Sequence, residues 1–320
     1  MLLSKILVER ILLDALLDAL PNKGDIKRLP DSVWKRTSAL NTWGTNAIEG
    51  NTLTEEDVER VVLQGQSVSK SMPDVIETVQ HERAFRGLLE RLARPIDLVL
   101  VQELHHEVFR GLPSYRPGDW RLTNPYIVGT KYRPPRREKV IPRLDAWMQT
   151  YAKRRARDED PFALGAWFHH EFEAIHPFEN GNGRVGRLLL NFHFLQCGWP
   201  PVHVVPDDRQ PYLAGLEAGH LGELARLQGF FEDAMSRSLL DLLDQTGGPT
   251  DALRPLRHWE IQAWNPYSAH YLSLRARQGA LAAVHASRTA APTMQKRRPG
   301  RPHYLTSERA LRMYVNANNP

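Results

Sequence analysis

The stretch His176-Pro-Phe-Glu-Asn-Gly-Asn-Gly-Arg-Val-Gly-Arg187 sets one histidine, a glycine-flanked turn and two arginines directly ahead of the apolar run Leu188–Leu195. Gly181 and Gly183 free the backbone for tight or left-handed turns, so consecutive N–H groups can point inward at the start of a helix. A nest of that kind binds anions. Arg184 and Arg187 stand three residues apart on the helix that follows, so both guanidinium groups can reach one polyphosphate. An unperturbed histidine titrates near neutrality, and Pro177 stiffens the turn after His176; both suit a base that takes a proton from an attacking hydroxyl. Phe178 is the apolar anchor. The bland alternative is a glycine-rich helix start with a buried histidine and surface arginines. Twelve residues in this order favour phosphate chemistry over it.

The segment resembles the signature of the Fic family, H-P-F-x-(D/E)-G-N-G-R-x-x-R. The resemblance implies transfer of AMP from ATP to a hydroxyl side chain of a target protein, with pyrophosphate leaving. It also implies that His176 is the general base, that Gly181, Asn182 and Gly183 cradle phosphates, and that Arg184 and Arg187 hold the β and γ phosphates. Attack on the α-phosphorus then rests on positioning and electrostatic stabilisation. Where the family carries an acid for Mg²⁺, this chain has Asn180, with Glu179 beside it in the variable position. Mg²⁺ is usually held by one or two carboxylates with substrate phosphates and waters. Three outcomes follow: weak coordination by the Asn180 amide oxygen, recruitment of Glu179, or nucleotide binding with poor turnover.

Upstream, Thr45-Asn-Ala-Ile-Glu-Gly-Asn51 resembles the inhibitory signature (S/T)-x-x-x-E-(G/N) of Fic proteins that carry their inhibitor on the N-terminal side. Glu49 can then pair with Arg187 and block the γ-phosphate site, a switch built from one ion pair and a bistable element. Between the two motifs, a β-favouring run Tyr126–Val128 followed by Gly129 and Pro134-Pro135 predicts an irregular hairpin. The resemblance makes Tyr126, Ile127, Val128 and Gly129 a flap that pairs with the target segment as an added strand.

Other constellations carry less. His170 and His176 are six residues apart rather than the four that put two histidines on one helical face, and His169 with Glu173 lacks a third ligand. His105 and His106 read as helix surface or packing residues. Cys197, the single cysteine, cannot form an internal disulfide and sits in an apolar run as a small core residue.

A chain of 320 residues with 42% apolar and 25% charged residues has the composition of a soluble globular protein. Leu2–Leu20 reads as an amphipathic helix, since Lys5, Glu9, Arg10, Asp14 and Asp18 interrupt its apolar run; no membrane segment or signal peptide is expected, and the cytoplasm is the expected location. The pattern is almost wholly helical, with helices near 32–49, 54–63, 74–93, 97–110, 139–157, 162–175, 184–197, 209–220 and 222–243. The fold class is therefore all-α, a Fic-type helical bundle with a short β-hairpin flap. The expected organisation is an N-terminal helical region 1–95 carrying the inhibitory helix, a catalytic core 96–246, and a basic extension 247–320. Residues 281–320 hold seven basic residues against one acidic residue, which leaves the other 280 residues at −1 of the chain's net +5. A solvated charge run is the simpler reading of that tail, and nucleic acid its candidate partner.

The expected function is an autoinhibited protein AMP-transferase that uses ATP with Mg²⁺ and acts on a protein bearing a hydroxyl; a second copy of the chain is a further candidate partner. Two alternatives stand beside it: a weakened nucleotide- or DNA-binding regulator, and removal of AMP by the same site.

Overall fold

The computed structural model describes residues 25–127, 130 and 132–246, together with Leu13, Asp14, Leu16, Leu17 and Leu20. The expected amphipathic helix at residues 2–20 therefore lies mostly outside the described residues, and the basic tail entirely so. Val128 and Gly129 of the flap lie outside them as well.

Among the described residues there are nine α-helices and no strand: α1 (Asp31–Ile48), α2 (Glu55–Val62), α3 (Met72–Glu90), α4 (Leu98–Val108), α5 (Val140–Arg155), α6 (Pro161–Ile175), α7 (Asn182–Gln196), α8 (Arg209–His220) and α9 (Ala225–Gln245). The chain divides into two units, Pro30–Ala234, which holds everything described below, and a second made of the segments before and after it. No helix among the described residues is long and apolar enough to cross a membrane.

The helix starts follow from capping chemistry. Thr54 and Asp57 close a reciprocal capping box on α2. Ser71, Asp97 and Asp160 each accept a backbone N–H at the head of α3, α4 and α6. Pro161 supplies the preset φ that favours the first position of α6. Helices α1, α5, α7 and α8 start without a side-chain cap, and α7 alone of these has a left-handed glycine, Gly181 with φ +80°, at its N-cap. Its first N–H groups are left without an intrahelical partner.

Helix α7 is buried nearly all round: Val185, Leu188, Leu189, Leu190, Phe192 and Phe194 are fully buried, as are Phe162, Phe168 and Phe172 of α6. Rings interlock between elements, with Phe162 and Phe194 at 5.0 Å and Trp147 of α5 and Phe168 at 4.6 Å. A helix buried on all faces is the centre of its unit, so the arginine-bearing turn at its head is fixed by the core behind it.

The segment 119–136 between η-turns runs without strand pairing among its described residues, where the sequence predicts a β-hairpin. Side chains shape it instead. Arg121 donates to the carbonyls of Thr123 (2.6 Å) and Pro135, tying both arms of the segment together, and Asn124 Oδ1 accepts the Arg137 N–H at 2.8 Å. These bonds replace part of the ladder a hairpin would use.

Candidate active site

Helix α6 ends at His176, whose backbone turns left-handed (φ 51°, ψ 61°) while its N–H still donates to the Phe172 carbonyl at 3.0 Å. A non-glycine residue seldom adopts this conformation, and where one does it clusters with function. His176 Nδ1 lies 3.4 Å from the Glu173 carbonyl. With its proton there, Nε2 keeps its lone pair. Burial, aided by the Arg121 charge, lowers the imidazole pKa to about 4 against the opposing pull of the Glu173 carbonyl and Glu49. The ring is neutral at pH 7 and able to accept a proton.

Four side chains hold the loop after His176. Asn182 accepts the Phe178 N–H and donates to the Phe178 carbonyl, both at 2.9 Å, so its amide closes the loop like a paired backbone unit. His105 of α4 accepts the Gly118 N–H on Nδ1 at 2.8 Å, which leaves Nε2 to donate to the Asn180 carbonyl at 3.0 Å. It also stacks on Phe178 at 3.8 Å, and burial keeps it neutral with a pKa lowered to about 4. Glu179 takes the Leu122 and Thr123 N–H groups (2.8 and 3.1 Å) and the Thr123 hydroxyl (2.6 Å). Arg121 donates to the His176 carbonyl at 2.8 Å. The loop after His176 and the segment 119–136 are thus one hydrogen-bonded assembly.

The two arginines meet different carboxylates. Arg187 is buried; its Nε donates to Thr45 Oγ1 at 2.6 Å, and one terminal nitrogen reaches the Thr45 carbonyl (3.1 Å) and Glu49 Oε1 (2.8 Å). Burial would raise the Glu49 carboxyl, but the charges of Arg187 and Arg184 outweigh it and hold the group below its ordinary range. Arg184 is buried as well and pairs with Glu77 of α3, its guanidinium 4.7 Å from the Phe109 ring. Here burial prevails over Arg184, and the Glu77 carboxyl sits above its ordinary range.

A cavity of about 670 Å³ opens over this arrangement, lined by Glu49, Ile127, Glu173, His176, Gly183, Arg187, Arg209 and Tyr212 among others. Gly183 is needed there: a Cβ would collide with the Glu49 carboxylate and the Arg187 guanidinium. Glu173 is buried with Oε1 lacking a hydrogen-bond partner, and burial, beyond what Arg187 offsets, pushes its carboxyl up to about 8.

The structure brings Glu49, Ile127, His176, Gly183 and Arg187 to one cavity. Arg184 is committed to Glu77 and does not line the cavity, the Asn182 side chain is committed to Phe178, and Tyr126 is exposed with Arg133 over its ring at 4.4 Å. Gly181 is the left-handed pivot, and a Cβ there would strike Phe109. Asn180 is exposed, with its carbonyl held by His105. For Mg²⁺ the donor set is poor: Glu179 is spent on the flap, and no group of three or more His, Cys, Asp or Glu suited to a metal occurs among the described residues. The side chains present do not form a resident metal centre.

Sequence reading missed Glu77 and Arg121, and it gave His105 only as a surface or packing residue, whereas the buried ring packs on Phe178 and also holds the loop. Glu77 meets Arg184 of α7 across the fold, a relation no local spacing carries.

Residues 95–194 match the Fic/DOC family model. The chain is 30% identical over 195 residues to the protein adenylyltransferase fic-1 of Caenorhabditis briggsae, covering 59% of this chain and 38% of that protein. It is 26% identical over 196 residues to the protein adenylyltransferase Fic of Drosophila grimshawi, covering 60% and 40%. The chain thus spans about two fifths of the length of these relatives. Among solved structures, a fragment of Fic-1 from C. elegans aligns with a TM-score of 0.63 at 26% identity, over 75% of this chain and 73% of that one. A Fic-domain signaling protein from Bacteroides thetaiotaomicron, 20% identical, has a TM-score of 0.67 over 76% of this chain and all of that one, which bears on the fold alone. Residues 95–194, from the approach to α4 to near the end of α7, form a Fic/DOC family domain.

Proposed function

We propose that this protein is a protein AMP-transferase held inactive by its own α1. A target Ser, Thr or Tyr hydroxyl, brought in beside the flap segment, loses its proton to His176 Nε2 as its oxygen attacks the α-phosphorus of ATP. The bond from that phosphorus to the oxygen bridging to the β-phosphate breaks, and pyrophosphate leaves. The unpaired N–H groups at the head of α7 and the Arg187 guanidinium are the anion-binding elements facing the cavity. The nucleotide brings Mg²⁺ on its phosphates, and Asn180 offers it one amide oxygen.

The observation that carries the reading is the Glu49–Arg187 ion pair, 2.8 Å long and in the same cavity as the neutral His176. A terminal phosphate would need the place Glu49 holds. The relatives named protein adenylyltransferases support the reaction class. The test is AMP labelling, followed by intact mass, of wild type, Glu49→Gly and Glu49→Gly/His176→Ala given Mg-ATP. Labelling by Glu49→Gly alone is expected, with the double variant losing about 10²–10⁴-fold. Equal labelling of all three, or of none, would sink the proposal.

A second reading, a nucleotide-binding regulator that turns over poorly, is favoured by the amide of Asn180 beside a Glu179 already engaged by Leu122 and Thr123. In the Glu49→Gly background, Asn180→Asp should then lower the Mg²⁺ concentration needed and raise the rate; an unchanged Mg²⁺ titration would dismiss this reading.

A further inference from the structure

A second cleft of about 380 Å³ lies beyond the flap segment from the main cavity. The two share His220 at the end of α8. Tyr132 lies flat on that ring at 3.8 Å and 3°, so the returning arm of the segment divides one space from the other. Thr130 faces the main cavity, its hydroxyl bonded to Glu217 at 2.5 Å, while Tyr132, Arg133 and Pro135 face the second cleft.

Two cations stand in the walls of this cleft, Arg133 and Arg143, both exposed and without an ion pair among the described residues. Its floor is a histidine pair, His170 Nε2 to His220 Nδ1 at 3.1 Å. His170 is 5% exposed, and its Nδ1 has no hydrogen-bond partner. One opposing charge, Glu171, lines the same space; its carboxylate lies 3.7 Å from His170 Nδ1. The surroundings tilt the balance further: residues 116–143 hold eight Lys and Arg against two acidic residues, more net charge than the whole chain. The Arg133 guanidinium is parked over the exposed Tyr126 ring, a placement that leaves its donors free.

We propose that this cleft is an anchoring subsite for an acidic side chain of the target protein, held between Arg133 and Arg143 while the target's hydroxyl is presented to the main cavity. The proposal rests on the transferase reading for its occupant. A carboxylate suits the site because an arginine fork offers paired N–H donors, and a half-enclosed cleft strengthens each such bond relative to open water. A basic target segment would meet two unscreened arginines and be rejected.

The test uses the full-length Glu49→Gly chain and three fluorescein-labelled dodecapeptides, each with one central Thr among Glu/Ala, Lys/Ala or Ser/Ala residues. Binding is followed by fluorescence anisotropy at low and moderate salt, and AMP self-labelling is measured in the same samples. The acidic peptide should bind about tenfold tighter than the neutral one, with the advantage shrinking as salt rises. Arg133→Glu/Arg143→Glu should erase that preference while its melting temperature and self-labelling stay those of the parent. Equal binding of acidic and neutral peptides, or a preference that survives the charge reversals, would overturn the subsite. Loss of self-labelling in the parent would overturn the transferase reading whatever the peptides do, so the two failures read differently.

Discussion

The helix that carries the arginines and the helix that carries Glu49 are held by opposite means. Behind its arginine-bearing turn, α7 is held by Val185, Leu188, Leu189, Leu190, Phe192 and Phe194, each fully buried side chain contributing about 1.5–3 kcal/mol. Against α3, α1 presents Ser38, Thr42 and Asn46, all buried, while elsewhere it buries Val33, Trp34, Ala39 and Ile48. Its links are polar: Ser38 to Glu82 at 3.0 Å, Thr42 to His81 at 3.0 Å, and Asn46 to Thr78 at 3.5 Å. Each is worth a net of about 1 kcal/mol, and the buried Thr37 Oγ1, Asn46 Oδ1 and His81 Nε2 have no partner, which subtracts from the seam. The difference supports a fixed arginine-bearing helix and a more readily exchanged Glu49-bearing one.

The largest effect should come from breaking the apolar side of that contrast. Phe172→Ala removes a fully buried ring between α6 and the signature loop and should cost about 3–5 kcal/mol in urea denaturation. A cost under 1 kcal/mol would mean that the α6–α7 core is looser than its packing implies.

Next comes pH, because buried titratable groups stand both at the seam, as His81 does, and in the apolar core around α6 and α7. Glu173 has its pKa raised to about 8 in the folded state, so stability declines as pH rises from the ordinary carboxylate range through 8. Glu173→Gln cannot ionise and should be stabilised over wild type on the order of 2 kcal/mol above pH 8, with no difference near pH 5, read from melting temperatures. On the acid side, burial lowers His81 and His169 to about 3 and His105, His176 and His193 to about 4. Each favours the folded state above the ordinary histidine range, and that stability is lost as pH falls toward 4. The acid limb of transfer by Glu49→Gly should likewise centre near 4 rather than 6.5; a limb at 6.5 would mean that His176 is solvated when active.

Smaller effects sharpen the polar side. Thr42→Val/His81→Leu swaps both partners of one link for apolar groups and should change stability by no more than about 1 kcal/mol. It should also tighten α1 in its seat, lowering any residual labelling by wild type; increased labelling would contradict the seam's role. The smallest change is expected at Arg91–Glu107, a part-exposed bridge where Arg91→Ala should cost about 0–1 kcal/mol.

Much of this was legible in the chain. Helical periodicity and capping residues located the helices to within a few residues, and two short motifs identified Glu49 and Arg187 as partners 138 residues apart. The start of α7 at Asn182 rather than Arg184 was not, since it depends on the Asn182 side chain closing the loop on Phe178. Glu77 reads as a surface glutamate of a helix until α3 is packed against α7. Among its described residues the segment 119–136 shows no strand, and Arg121 and Glu179 meet the backbone groups of residues 122, 123 and 135 with side chains, which no alternation pattern records.

The polar seam under α1 has a further meaning in a crowded solution. A helix that leaves an oily seat exposes a sticky surface on both sides, and such patches recruit neighbours before the helix can return. Here departure from α3 would uncover hydroxyls, amides and a neutral imidazole, groups that water wets readily, but full release of α1 would also bare Val33, Trp34, Ala39 and Ile48. A parting confined to the polar links would therefore recur without feeding aggregation, whereas loss of the whole helix would not.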